Sequence, residues 1–356
     1  TNRTFGGGWQ GSPTDTVPTG KKRRNQIVVD SRIKKAMVAV GGAALLTASA
    51  LPAAAQDEAP LFVAINKSAD QVYFIDLQRG FTEKIEELGG QALTFDAKLD
   101  PSLGVSLVQD AISAGAVGIA TTVPDQTIGP AVVDATSQAD VALVATDDNI
   151  TDADGNPVPF VGFDGVEMGT QMGNSAAELL TAAGWLEDPE LKVGVLSTEV
   201  QTLSVCEDRT NTAKQIVLDA GVPAENIYQV PYTGETSSAQ DAAGPVITAH
   251  PDVTNWVVFA CNDEGALGTL NALATAGVDP DTVIGVGLGA YEACKPWAAG
   301  QPSGFKSALF LPGYEVGQTA AQALWDNVVN GEPLPPFSAS NTAIVTPETY
   351  TEYTDC

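Results

Sequence analysis

The stretch LFVAINKSADQVYFIDLQRGFTEKIEELGGQALTF, residues 61–95, decides how the rest of the chain is read. Leu61-Phe-Val-Ala-Ile65 is an apolar run of strand length. Residues 74–88 form an amphipathic run of helix length closed by Gly89-Gly90, and Gln91-Ala-Leu-Thr-Phe95 is a second strand. Strand, crossover helix and strand make a parallel pair. The unit repeats outward from there, with a helix over 103–114 stopped at Gly115, a strand over 117–121, a helix over 128–137 and a strand over 141–146. A second series follows a helix at 168–183. Its strands lie at 192–196, 226–230, 256–259 and 283–286, and its helices at 210–220, 239–249, 266–276 and 290–299. A strand over 304–311, a helix over 316–329, a Pro-rich exit through Pro333, Pro335 and Pro336, and a last strand over 342–345 complete the pattern. The expected fold class is α/β, with two Rossmann-like lobes, each a parallel sheet flanked by helices. Some 300 residues suit two cores better than one.

Upstream of residue 56 the composition changes. Arg32, Lys34 and Lys35 precede an uncharged run of Ala, Val, Leu and Gly over 36–51, and Pro52-Ala-Ala-Ala55 offers small residues before Gln56-Asp57-Glu58. This is the layout of a secretory signal peptide, placed at 31–55. The run is shorter, and richer in Ala and Gly, than the roughly 20 strongly apolar residues of a membrane span. Residues 1–30, polar and rich in Gly, Lys and Arg, read as an upstream leader without a function of their own. No Cys follows the small-residue site to accept a lipid, so the expected location is free in the periplasm.

The whole chain carries 17 Lys and Arg against 44 Asp and Glu; from Gln56 onward 9 remain against 42, a net charge of −33. Such a surface repels nucleic acid and anionic lipid. Cys206, Cys261, Cys294 and Cys356 lie in the second half of an exported chain, where disulfides form, and three pairings are open.

In open parallel sheets ligands gather beyond the carboxyl ends of the strands. Lys67 follows the first strand, with Tyr73 and Phe74 opening the next helix. Asp147-Asp148 follow the fourth strand, Arg209 opens a helix of the second series, Asn262-Asp263 follow the strand at 256–259, and Gly289 to Glu292 follow that at 283–286. Carboxylates that accept from two hydroxyls, planar forks of Arg and Asn, and aromatic faces for C–H surfaces are the groups a sugar needs. An enzyme is not expected. The single histidine, His250, lies at a helix end beside Pro251, no Cys/His metal cluster exists, and Gly285-Val-Gly-Leu-Gly289 lacks the spacing of a dinucleotide loop. Neither metal nor cofactor is expected.

Five stretches carry a resemblance: Ala120-Thr-Thr-Val-Pro-Asp-Gln-Thr-Ile-Gly129, Ala145-Thr-Asp-Asp148, Ala220-Gly-Val-Pro-Ala-Glu-Asn-Ile-Tyr-Gln-Val-Pro231, His250-Pro-Asp-Val-Thr-Asn-Trp256 and Ile284-Gly-Val-Gly287. Over essentially the whole exported part the sequence resembles the arabinose-binding members of the sugar-binding type I periplasmic binding proteins. The resemblance implies an interlobe cleft in which Lys67 donates to a hydroxyl, Tyr73 and Phe74 wall the ring, and Asp147 and Asp148 accept near the anomeric centre. It implies that Arg209 reaches the ring oxygen, that Asn262 forks to two hydroxyls, and that Thr122 and Phe163 belong to the ligand's surroundings. It implies three crossings near Phe163, Phe310 and Pro335, giving lobes of 57–163 plus 310–335 and 164–309 plus 336–356. The family's Glu in the first loop is Gln71 here, and its second Asn is Gly289, leaving Tyr291, Glu292 or water to fill that place. The implied function is capture of a monosaccharide for the permease of an ABC importer, by a monomer that closes its hinge. Another small polar solute, such as a polyol or amino acid, and a chemoreceptor as docking partner are the alternatives. A DNA-binding regulator of the same fold does not fit a chain led by an export signal.

Overall fold

In the computed structural model residues 59–356 are described; the leader at 1–30 and the signal peptide at 31–55 lie outside them. The run quoted above folds as read, with β1 (Leu61–Asn66), α1 (Val72–Leu88) and β2 (Gln91–Asp96). It continues through α2 (Pro101–Ser113), β3 (Ala116–Thr121), α3 (Gly129–Gln138), β4 (Ala142–Thr146) and β5 (Phe160–Gly162). Local chemistry sets the boundaries. Asp100 accepts from the N–H groups of Ser102 and Leu103 and Pro101 fills the first helical position, so α2 starts there.

The second series contains α4 (Gly165–Ala183), β6 (Val193–Glu199), α5 (Ser204–Asp219), β7 (Ile227–Pro231), α6 (Thr236–Ala249), β8 (Asn255–Ala260), α7 (Asp263–Thr275), β9 (Val283–Gly289), α8 (Cys294–Ala298) and β10 (Phe305–Phe310). The chain closes with α9 (Gly313–Val328), β11 (Phe337–Ala339) and β12 (Ala343–Val345).

Two six-stranded sheets result, in the orders β11-β5-β4-β3-β1-β2 and β12-β10-β9-β8-β6-β7. Every pairing is parallel except β10 with β12. The strands read as unbroken apolar runs because both faces are covered. In β1, Phe62 and Ala64 pack with Leu77, Phe81 and Leu324 of α1 and α9, while Val63 and Ile65 pack with Val108 and Val132 of α2 and α3. The crossing of α1 and α9 is close enough to demand glycine: a Cβ on Gly317 would meet the Leu77 carbonyl oxygen at 2.0 Å, and one on Gly80 that of Tyr314 at 2.1 Å. That contact returns α9 to the first lobe after β10 has been laid in the second.

The chain passes between the sheets after β5, between β10 and α9, and between β11 and β12. The lobe limits read from the sequence shift accordingly. Phe310, assigned to the first lobe, ends β10 and pairs with Gly289 in the second sheet. The third crossing lies beyond Ala339 rather than at Pro335, because Phe337 to Ala339 pair with Phe160 to Gly162 on the first sheet. Both are three-residue strands, too short for periodicity to mark. The helix expected over 290–299 shrinks to α8, since β9 runs on to Gly289 and both Gly289 and Ala290 take positive φ. Among the described residues no helix is long and apolar enough to cross a membrane.

Candidate functional site

The carboxyl ends of both sheets converge on one cavity of about 70 Å³. On the first-lobe side Lys67 stands just past β1, and Gln71, Tyr73 and Phe74 form the start of α1. Asp147 follows β4 in the left-handed region, φ 59°, a conformation that turns its carboxylate toward Lys67 and Arg209. Lys67 Nζ is bonded to Asp148 and lies 3.4 Å from Asp147 Oδ2 and 5.3 Å from the centre of the Phe74 ring. Burial works against the Lys67 ammonium, but Asp148 and Asp147 together more than offset it, and its pKa stands above the ordinary lysine value. For Asp148 burial wins over the attraction of Lys67 and the pKa rises. Burial, then the charge of Asp147, lift the Tyr73 phenol well above its usual range, keeping it a donor at neutral pH.

On the second-lobe side Arg209 projects from α5. Its Nη1 donates to the Cys261 carbonyl at 2.9 Å, and Nη2 lies 3.7 Å from Asp147 Oδ1 across the cleft. Asn262 caps α7: its Oδ1 accepts from the Gly265 N–H at 2.8 Å and from the Tyr232 hydroxyl, while Nδ2 donates to the Gly234 carbonyl at 3.0 Å. The amide expected to fork to two hydroxyls is therefore engaged by protein at both ends, with one N–H to spare. Gly289 also lines the cavity. Its φ of 132° is one that side-chain-bearing residues rarely adopt, and a Cβ there would meet Tyr291 Cδ2 at 3.4 Å. The Tyr291 hydroxyl donates to Leu311 at 2.8 Å, at the second crossing.

Eight of the twelve residues named from the sequence line this cavity: Lys67, Gln71, Tyr73, Phe74, Asp147, Arg209, Asn262 and Gly289. Four do not reach it. Asp148 is wholly buried behind Lys67. Thr122 shares a 2.7 Å hydrogen bond with Thr146 within the sheet. Phe163, with its ring 6.3 Å from that of Tyr73, lines a separate groove beside the first crossing. Glu292 pairs with Lys295 and lends only its N–H, to Asp263 Oδ2 at 2.7 Å.

Two acids beyond those twelve line the cavity: Asp263, which the strand-end reading named together with Asn262, and Glu264, which it did not name. Burial carries Asp263 to a pKa of about 6 despite the N–H groups of Glu292 and Ala293; burial and the charge of Asp263 carry Glu264 to about 8. Their position after β8, beside Asn262, is the signal that marks them, since the strand-end rule applies equally to all three. Leu99, Pro124 and Leu203 come from loops that no periodicity distinguishes. Buried polar atoms without a hydrogen-bond partner among the described residues include Tyr73 Oη, Arg209 Nε and Nη2, and Asp263 Oδ1, all on residues that line the cavity. The open choice of disulfides is settled as Cys206–Cys261 and Cys294–Cys356.

Comparison with known proteins agrees with this geometry. The chain is 28% identical over 299 residues to an ABC transporter L-arabinose-binding periplasmic protein of Azospirillum brasilense, covering 82% of this chain and 88% of that protein. It is 25% identical over 334 residues to the L-arabinose-binding periplasmic protein of Escherichia coli (strain K12), covering 90% and 96%. Its fold matches the crystal structure of a Caulobacter myo-inositol binding protein with a TM-score of 0.68 at 20% identity, over 82% of this chain and 95% of that one. The family model for the periplasmic binding protein domain spans residues 62–333, from the first strand of one lobe to beyond the helix that returns to it, and the chain belongs to that family.

Proposed function

We propose that this chain is the substrate-binding protein of an ABC importer and captures a monosaccharide, an arabinose- or galactose-like pentose or hexose, in the cleft between its lobes. The observation that carries this reading is the set of buried polar atoms without a hydrogen-bond partner on residues that line the cavity, Tyr73 Oη, Arg209 Nε and Nη2 and Asp263 Oδ1, with Tyr73, Phe74 and Tyr291 as its aromatic walls. Hydroxyls that both donate and accept satisfy such a mixed set, and aromatic faces cover the C–H surface of a sugar ring. The names of the two arabinose-binding relatives support the same ligand class.

Binding works by closure. Each lobe supplies part of the hydrogen bonds, so the ligand prefers the closed arrangement, and that difference in affinity shifts the population. Contacts across the cleft accompany closure: Gln71 Nε2 donates to the Gly234 carbonyl at 3.2 Å, and Gln126 Oε1 accepts from the Ser204 N–H at 2.6 Å. The closed form, a monomer exported to the periplasm, docks on the permease. No catalytic step is part of this reading.

Thermal unfolding of the exported chain against pentoses, hexoses, polyols and amino acids tests it. A ligand at 100 times its Kd adds about 2.7 kcal/mol of stability and moves the midpoint by several degrees. A shift with one sugar or a small set supports the proposal. A shift with amino acids alone sinks the sugar reading while keeping the binding role, and silence throughout removes both.

A further inference from the structure

Arg209 lies one helical turn beyond Cys206 on α5, and its guanidinium is buried, with Nε and Nη2 lacking a hydrogen-bond partner among the described residues and Nη2 3.7 Å from Asp147 Oδ1. Cys261 follows β8, lines the cavity, and is bonded through sulfur to Cys206 in the first turn of α5. The same Cys261 accepts, through its carbonyl, the hydrogen bond from Arg209 Nη1. The helix that carries the arginine and the strand end that orients it are thus joined twice, once covalently. A long arginine side chain loses rotamer freedom when it is fixed, and a ligand that must fix it binds less tightly than one that finds it in place.

We propose that the Cys206–Cys261 disulfide is a positioning group of the ligand site, holding α5 against the end of β8 so that Nε and Nη2 of Arg209 are set toward the cleft before a ligand arrives. The proposal rests on the reading of the cleft as a sugar site. The second disulfide is its internal control. Cys294–Cys356 lies in the same lobe and closes a similar span, 62 residues against 55, but neither of its cysteines lines the cavity.

The test compares the exported chain with Cys206→Ser/Cys261→Ser and with Cys294→Ser/Cys356→Ser, using calorimetric titration with L-arabinose, and with D-ribose where arabinose is silent. Both pairs should lower the unfolding midpoint alike, since the spans are similar. The first should weaken affinity about tenfold or more and the second less than about twofold. In an Arg209→Lys background the loss of Cys206–Cys261 should cost much less than it does alone, because the disulfide acts through that arginine. Nitrogen-15 NMR of the Arg209 Nε–H in ligand-free protein gives a readout that needs no sugar: a resolved, slowly exchanging signal in the unaltered chain and in the second variant, broadened away in the first. Should the serine pair fail to fold, Cys206→Ala/Cys261→Val keeps the volume apolar and serves in its place. Equal affinity losses in the two variants, full additivity with Arg209→Lys, or an unchanged Arg209 signal in the first variant would overturn the proposal. If no sugar binds, the sugar reading fails and the NMR signal alone decides the positioning.

Discussion

In the first lobe the cleft wall is held by charge, and in the second it is held by a covalent bond. Lys67 gathers Asp147 and Asp148 beyond β1 and β4, three ionisable groups packed with little water around them. Across the cleft, Arg209 and Asn262 stand on segments tied by Cys206–Cys261, while Asp263 and Glu264 lie beside them without a cation bonded to either carboxylate among the described residues. All four cysteines belong to the second lobe. A charge-held wall depends on every member, because removing one leaves the others buried and uncompensated. A stapled wall tolerates uncompensated acids nearby, but those acids make it respond to pH.

The sharpest way to break this contrast is Lys67→Met. It leaves Asp148 buried without its cation and Asp147 with only Arg209 at 3.7 Å, and should cost about 3–5 kcal/mol in urea unfolding. A cost under about 1 kcal/mol would mean that the first wall is held by packing instead.

Next in size is the pH response of the second wall. Glu264 has a folded pKa of about 8 against an ordinary 4.5, so the folded state takes up its proton at a higher pH than the unfolded chain does. Native stability should therefore fall as pH rises from about 4.5 to about 8, by up to about 5 kcal/mol relative to Glu264→Gln, and level off above. Asp263, with a folded value of about 6 against 3.8, acts in the same direction over a lower window. Parallel unfolding curves for the two proteins across that range would remove Glu264 from the account.

Arg209→Ala should weaken sugar binding by about 2 kcal/mol or more, as it takes away Nε and Nη2 and leaves Asp147 with less compensation in a dry cleft. Calorimetry reads this, and an unchanged Kd would move the ligand away from the second wall. Asp148→Ala, acting through Lys67 rather than by contact, should lose affinity together with stability, which separates the two walls by mechanism.

The smallest expected effect is that of Gln71→Ala. Losing its bond to the Gly234 carbonyl should cost about 1 kcal/mol of closure and appear as a dissociation rate a few times faster in stopped-flow.

The sequence alone determined the alternation of strands and helices, because the strands are covered on both faces and so appear as continuous apolar runs, and their length is bounded by Gly, Pro and capping residues. Lys67, Asp147 and Arg209 were legible for a related reason: each sits within a few residues of a strand's carboxyl end or a helix's first turns, where this architecture puts its ligands. Asp263 was named by the same rule, and Glu264 could have been found by it. Only the tertiary structure decided which strand-end residues face the cavity. Asp148 turns behind Lys67, Glu292 turns to Lys295, and Thr122 closes on Thr146, choices made by partners 81, 3 and 24 residues away in sequence. It also decided the disulfides and the third crossing. Four cysteines allow three pairings until the fold brings Cys206 to Cys261, and Phe337 to Ala339 become a strand only because β5 offers an unpaired edge. Sequence periodicity records what a segment buries on average, whereas side-chain direction and pairing depend on which neighbours the fold brings into reach, most of them distant along the chain.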